Sequence, residues 1–485
     1  MDTIEVTADG QTLCKRVGQL IDDGRIGAAR PLLAAARRLS PASPDLTILG
    51  ARLAVREGAP DLATAELDGG IAAWPSHAGL RKARAAARSE IGDIEGAARD
   101  AAEAVIFDPG DPQAKAILGA ALLALGRAAD AAACLAEAIE AGSAPVIYRE
   151  TLAKALEAAG DAGAALQVLS DGIALSPGSV ALRNAAILVC LHRRDFIQAH
   201  RLAEQARSVG IADACTFGMN GHALSSLGRH DEAATAYQEA YKLGPHDPYV
   251  RHLVTASGAL PDARRAPPEY VATVFDGYAD RFEAHLISLG YSIPGAIRAV
   301  LVTHPKVARG LPAGPTLDLG CGTGLVALAT SDLPIGPFTG VDLSRKMLDH
   351  ARARQLYDEL READVVADMA GGTQSWPLIL AADVLCYFGA LEELFGLAHA
   401  RLAPGGWFIF SAEELLPDYD GVVPGNGRWA LQRMGRYAHA SDYVHEAAIA
   451  AGFRILRSDR PVIRQEGGAP VPGIMLTVER LGHDD

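Results

Sequence analysis

Residues 315–330 read PTLDLGCGTGLVALAT. The stretch opens with an apolar tetrad from Thr316 to Leu319, continues through glycines at positions 320, 322 and 324, and ends in a leucine- and alanine-rich run from Leu325. This pattern predicts a strand, a tight turn and a helix in direct succession. Glycine at alternate positions lets the backbone turn sharply and come close to a ligand, while the first turn of the following helix presents N–H groups without intrahelical partners. About twenty residues further on, FTGVDLS (338–344) reads as a second strand ending in Asp342.

The glycine spacing is G-x-G-x-G, not the G-x-G-x-x-G of dinucleotide-binding enzymes. With Asp318 just before the loop and Asp342 closing the next strand, the segment resembles motif I of class I S-adenosylmethionine-dependent methyltransferases. The resemblance implies a Rossmann-like fold, S-adenosylmethionine as cofactor, and methyl transfer as activity. It gives Asp318, Gly320, Gly322 and Gly324 to the cofactor loop. Asp342 accepts both ribose hydroxyls, with Leu343, Ser344 and Met347 near the adenine. Asp364, in READVVAD, accepts the adenine amino group, and Asp368 competes for that role.

Further segments fit the same family in order and spacing. WPLILAADVLCYF (376–388) matches its fourth strand, with Ala381, Ala382 and Asp383 at the carboxyl end; Pro377 departs from the acidic residue many members carry there. RLAPGGWFIFSAEE (401–414) matches a helix, a structural Pro-Gly-Gly turn and a fifth strand. Upstream, TVFDGYADRFEAHL (273–286) is similar to the helix lying over the methionine moiety, which implies that Tyr278 touches the cofactor and that Phe275 or Phe282 excludes water. GRYAHA (435–440), the AGF turn (451–453) and the PVPG bend (470–473) resemble a bacterial subgroup of methyltransferases with tetratricopeptide repeats. Arg436, Tyr437 and His439 fall on the side where such enzymes meet acceptors. His439 is therefore the candidate base, Tyr437 and Asp383 the alternative catalytic residues, and Arg436 the holder of an acceptor carboxylate.

Upstream of residue 260 the sequence is periodic. Gly24, Gly58, Gly92, Gly126, Gly160 and Gly228 lie on a 34-residue grid, with Arg194 in the gap. Five residues after each grid point stands alanine, from Ala29 to Ala233, and seventeen after it proline recurs at Pro41, Pro75, Pro109, Pro177 and Pro245. Glycine ends a first helix, alanine lets a second pack closely, and proline stops the second. About seven such hairpins resemble the tetratricopeptide family, although Arg88 and Cys190 stand where that family favours aromatics. The repeat beginning near Val180 lacks both glycine and proline and is expected to be the irregular one.

The expected organisation is an all-helical solenoid over 1–258 with a capping helix, a proline-rich linker over 259–269, and a methyltransferase domain over 270–485. A solenoid's concave face suits a protein or peptide partner. Forty-five basic against 59 acidic residues give a net charge of −14, which disfavours bulk nucleic-acid binding. No apolar run is long enough to span a bilayer, the first ten residues do not read as a leader, and the six cysteines form no C-x-x-C. These features predict no membrane span, no metal centre and a reducing cytoplasm. The leading function is methylation of a protein or peptide recruited by the repeats. The alternatives are a small-molecule methyltransferase whose repeats serve assembly, and a repeat adaptor with a non-catalytic cofactor-binding domain.

Overall fold

A computed structural model describes residues 10–142, 145–261, 263–303, 314–416 and 427–481. The leader reading falls mostly on residues 1–9, outside the described residues. The chain divides into two compact units, Met1–Met219 and Asn220–Asp485.

The first unit is a succession of antiparallel helix hairpins: α1 (Gly10–Asp22), α2 (Ile26–Leu39), α3 (Pro44–Arg56), α4 (Pro60–Ala73), α5 (Ala78–Glu90), α6 (Ile94–Phe107), α7 (Pro112–Ala124), α8 (Ala128–Glu140), α9 (Val146–Ala158), α10 (Ala162–Leu175), α11 (Val180–His192) and α12 (Phe196–Ser208). The grid glycines at 24, 58, 92, 126 and 160 all take left-handed φ between +72° and +87°, the conformation that ends the first helix of each hairpin. The alanines five residues later are fully buried in this unit. Close approach is required: a Cβ on Gly119 would come within 2.6 Å of Leu135 Cγ.

The repeat at Val180 is not irregular. Its helices have the ordinary length, and Arg194 adopts φ +59° in the glycine's place. The Arg88 departure also has a partner. Arg84 and Arg88 lie 2.6 and 2.9 Å from the carboxylate of Asp100, which is 2% exposed, so an ion cluster fills space that an aromatic ring would take.

The division falls inside α13 (Ala214–Ser226). The second unit therefore holds α14 (His230–Leu243) and α15 (Pro248–Ala256) as well as the sheet domain, whereas the sequence boundary stood at 258. The physical reason lies in α15, which packs on α14 and also on α16 (Pro268–Ser288). His252 is buried, with Nε2 2.8 Å from the Gly435 carbonyl oxygen and its ring 4.2 Å from that of Tyr270.

After α16 come α17 (Ile293–Thr303), β1 (Thr316–Leu319), α18 (Leu325–Thr330), β2 (Phe338–Asp342), α19 (Arg345–Ala353), β3 (Glu359–Glu362), α20 (Val365–Gly371), β4 (Trp376–Ala381), α21 (Glu392–Arg401) and β5 (Leu402–Glu414). Beyond the fifth strand lie β6 (Trp429–Leu431), β7 (Tyr437–His439), α22 (Ser441–Ala450), β8 (Phe453–Asp459), β9 (Val462–Glu466) and β10 (Ala469–Arg480). The main sheet has the order β3-β2-β1-β4-β5-β10-β8, with β1 to β5 parallel and β10 antiparallel to both neighbours. One face buries Phe395, Phe408 and Phe410, and the other buries Ile297, Leu301, Ile409 and Trp407. Because β2 and β4 flank β1, the chain reverses its winding there and leaves a crevice at the strands' carboxyl ends.

Candidate active site

That crevice forms a cavity of about 190 Å³. Its wall brings together Gly320 and Gly322 from the β1–α18 loop, Asp342 and Leu343 from the end of β2, Asp364 at the start of α20, and Asp383 beyond β4. Phe275, Tyr278, Phe282 and His285 come from α16, and Arg436, Arg464 and Glu466 from the β6 to β9 region.

The loop is built for backbone approach. Gly320 and Gly322 have φ +63° and +54°, and a Cβ on Gly320 would stand 2.4 Å from Val384 Cγ2. Gly324, at φ +88°, is the N-cap of α18 and does not line the cavity; Tyr357 closes over the space where its Cβ would go. Asp342 accepts the Gly322 N–H at 2.9 Å through Oδ2 and the Ser344 N–H at 2.8 Å through Oδ1, so the second-strand acid also holds the loop. Burial raises its carboxyl above the ordinary range, opposed by those N–H donors.

Asp318 sits behind the loop, 1% exposed. Its Oδ2 accepts the Tyr357 hydroxyl at 2.7 Å, and its buried Oδ1 has no protein partner. Burial pushes this carboxyl up to about 7, with Tyr357 opposing and Asp342 adding to the rise. Met347, on α19, is buried outside the cavity wall, whereas Leu343 is part of it. Tyr278 lines the cavity and contacts His285 Nδ1 through its hydroxyl. Between the competing acids, Asp364 reaches the cavity, while Asp368 lies 3.4 Å from Arg361 outside it.

The acceptor-side expectations divide. Asp383 lines the cavity with φ +59°, a conformation an L-residue adopts only under constraint from its surroundings. Its N–H donates to Ser411 Oγ at 2.9 Å, Oδ2 accepts from Arg464 at 3.0 Å, and buried Oδ1 has no protein partner. Burial raises its carboxyl and Arg464 opposes the rise. Arg436 also lines the cavity, 2.9 Å from Glu413 and 2.5 Å from Glu466. Arg464 contacts Asp383, Glu413 and Glu466, so three carboxylates share two guanidinium groups. Burial works to raise Glu466, but the two arginines outweigh it and hold its carboxyl low.

His439 and Tyr437 are not in the cavity wall. Both are fully buried in β7; His439 Nε2 lies 2.8 Å from the Phe388 carbonyl oxygen, and the Tyr437 hydroxyl donates to the Ala263 carbonyl at 2.5 Å. Burial drives the His439 imidazole down to about 4. Neither side chain faces the cavity in this structure, unlike the acceptor-side placement expected of them, and His439 Nδ1 is buried without a protein partner.

Sequence reading missed Arg464, Glu466, Glu413 and Arg265. A charged residue inside the apolar strand pattern of VIRQE was the available signal for the first two. Arg265 stood in the stretch read as a linker.

Comparison with known proteins agrees with this geometry. Residues 317–408 match a family described as a methyltransferase domain. The chain carries a methyltransferase domain. The motif resemblance implies S-adenosylmethionine as the cofactor of that domain. A malonyl-[acyl-carrier protein] O-methyltransferase of Geobacter sulfurreducens is 28% identical over 36% of this chain and 68% of its own. A trans-aconitate 2-methyltransferase of Sinorhizobium fredii is 42% identical over 35% of this chain, and the alignment spans 57% of that relative's length. A solved tetratricopeptide repeat protein from Parabacteroides merdae is 17% identical, covering 51% of this chain and 98% of its own, with a TM-score of 0.39. Among the described residues no single helix is long and apolar enough to cross a membrane.

The residues present fit the cofactor. In the cavity wall the buried Asp383 Oδ1 lacks a protein partner, and at Gly320 a Cβ would run into Val384, so the loop leaves its backbone bare there. The acidic wall formed by Asp342, Asp364 and Asp383 suits a ligand carrying positive charge and hydroxyl donors.

Proposed function

We propose that the chain methylates a protein or peptide acceptor that the repeat array recruits and that enters the cavity at the Asp383, Arg436 and Arg464 end. The observation carrying this reading is one cavity in which the loop glycines, Asp342 and Asp364 face the Asp383–Arg464–Arg436 group. When bound, S-adenosylmethionine supplies a methyl group on a sulfonium, already a good electrophile. What the chain must add is alignment and exclusion of water.

Asp342 would hold the ribose hydroxyls and Asp364 the adenine amino group, and Gly320 and Gly322 would let the ligand come close to the loop backbone. Gly324, Met347 and Asp318 support this surface from behind. Tyr278, with Phe275 and Phe282, covers the reacting end. Asp383, with an oxygen left over from its ion pair, takes a proton from an acceptor that carries one. Arg436 is committed to Glu413 and Glu466 and orients the acceptor side. The six cysteines, all free thiols, support a reducing compartment such as the cytoplasm.

Labelled methyl transfer into fractionated lysate tests the proposal, with protein and small-molecule pools counted separately. Label in the protein pool that depends on residues 10–219 is expected; label confined to small molecules would overturn it. A second reading, a small carboxylic acid as acceptor, is favoured by the relative named for trans-aconitate, whereas the other relative's name gives a malonyl group carried on an acyl-carrier protein. In that case removing the repeats leaves turnover intact.

A further inference from the structure

Between α15 and α16, residues 263–266 are bound to the 387–390 segment beyond β4 and to β7. Gly389 and Ala390 donate their N–H groups to the Arg264 carbonyl, each at 2.9 Å, and the Ala266 N–H donates to the Tyr387 carbonyl at 2.8 Å. Arg265 and Phe388 thus form an antiparallel bridge. Tyr437 fastens Ala263 from one side, and His439 holds the Phe388 carbonyl from the other. Arg264 adds an ion pair with Glu392 at 3.2 Å. A linker chosen only for reach needs none of these bonds.

The consequence is a side chain in the cavity wall that no motif marks. Arg265 lies with Nη1 3.3 Å from Asp364 Oδ1 and its guanidinium carbon 5.8 Å from the centre of the Phe388 ring. Asp364 Oδ1 also accepts the Ala367 N–H at 3.1 Å, capping α20. Both contacts fall on the same oxygen. The second oxygen keeps its lone pairs while the carboxylate is fixed in orientation by a charge on one side and a backbone donor on the other.

We infer that Arg265 is a positioning residue for cofactor recognition: it holds Asp364 so that Oδ2 meets an N–H donor on the purine edge. The inference rests on the proposed role of Asp364. Arg265 acts on the orientation of Asp364, so its loss is read in cofactor affinity and base discrimination.

Calorimetry on the full chain, with S-adenosylhomocysteine and its 6-oxo counterpart S-inosylhomocysteine as probes, tests this. Arg265→Ala is expected to weaken S-adenosylhomocysteine five- to tenfold and to erase most of the preference over the inosine compound; Arg265→Lys should restore part of both. In an Asp364→Asn background, Arg265→Ala should have little further effect. If Asp364→Asn changes neither affinity nor preference, the reading of Asp364 fails and the inference falls with it. If Asp364→Asn weakens binding while Arg265→Ala does not, or if the two losses simply add, Asp364 keeps its role and the inference about Arg265 is overturned. Circular dichroism of each variant establishes that it is folded, and a folded Arg265→Ala chain with unaltered purine preference also overturns it.

Discussion

His439 is joined through Nε2 to the carbonyl oxygen of Phe388, 2.8 Å away, and its imidazole is sealed from the cavity. The histidine therefore fastens the 387–390 segment, which in turn carries the Arg265 bridge. Because burial takes its folded-state value down to about 4, below the roughly 6.5 of an unfolded histidine, the unfolded chain binds the extra proton first as pH falls. The stability this site contributes is complete above about pH 6.5 and is lost progressively towards pH 4. At about 1.36 kcal/mol per unit the loss is at most about 3 kcal/mol.

His439→Gln is expected to flatten that acid limb and to lower stability by about 1–3 kcal/mol through the altered buried hydrogen bond. Urea titrations at pH 7 and pH 4.5 measure both effects. A folded variant with parental stability at both pH values and turnover reduced a hundredfold would restore His439 to the chemistry.

Asp342→Ala should weaken the cofactor at least tenfold, since hydrogen bonds to charged groups contribute about 1.5–3 kcal/mol each. The same change strips the acceptor from the Gly322 and Ser344 N–H groups, so the loop loosens as well. Asp342→Asn, keeping one acceptor oxygen, is expected to fall between. Calorimetry with S-adenosylhomocysteine checks the order, and equal affinities for all three chains would displace Asp342 from the ribose site.

A fragment of residues 228–485 should bind the cofactor as the full chain does, whereas 262–485 should be less stable. Removing α15 deletes the His252 to Gly435 hydrogen bond and uncovers Tyr270, which is 5% exposed. Re-exposing that ring costs roughly 2–4 kcal/mol at about 25 cal/mol per Å². Thermal melts of the two fragments decide; matching midpoints would leave α15 without a part in the sheet domain.

Arg194→Gly is expected to stabilise the repeat array by about 0.5–1 kcal/mol. An L-residue in the left-handed region costs about 1–2 kcal/mol, partly offset by the chain entropy glycine gives up on folding. Guanidinium unfolding of the full chain, followed by helix signal, measures it. A destabilised variant would mean that the Arg194 side chain makes a contact outweighing its backbone strain.

The sequence by itself determined the elements whose causes are local. A 34-residue period of turn glycine, packing alanine and stopping proline specifies helix hairpins, because each feature acts within a few residues of itself. For the same reason the glycine loop and the two strand-end acids were legible: a tight turn with free N–H groups and an acid at a strand's end are properties of short segments. The site's other half was not. Arg464 and Glu466 arrive from β9, Glu413 from β5 and Arg265 from a stretch whose prolines and small residues read as a spacer, and they meet only when the sheet closes in the order β3-β2-β1-β4-β5-β10-β8. Local pattern likewise places His439 beside the acceptor side but carries no information about which way β7 faces. Burial and the bonds that close on packing are properties of the folded chain, and they set His439 Nε2 against the Phe388 carbonyl and Arg265 in the wall of the cavity.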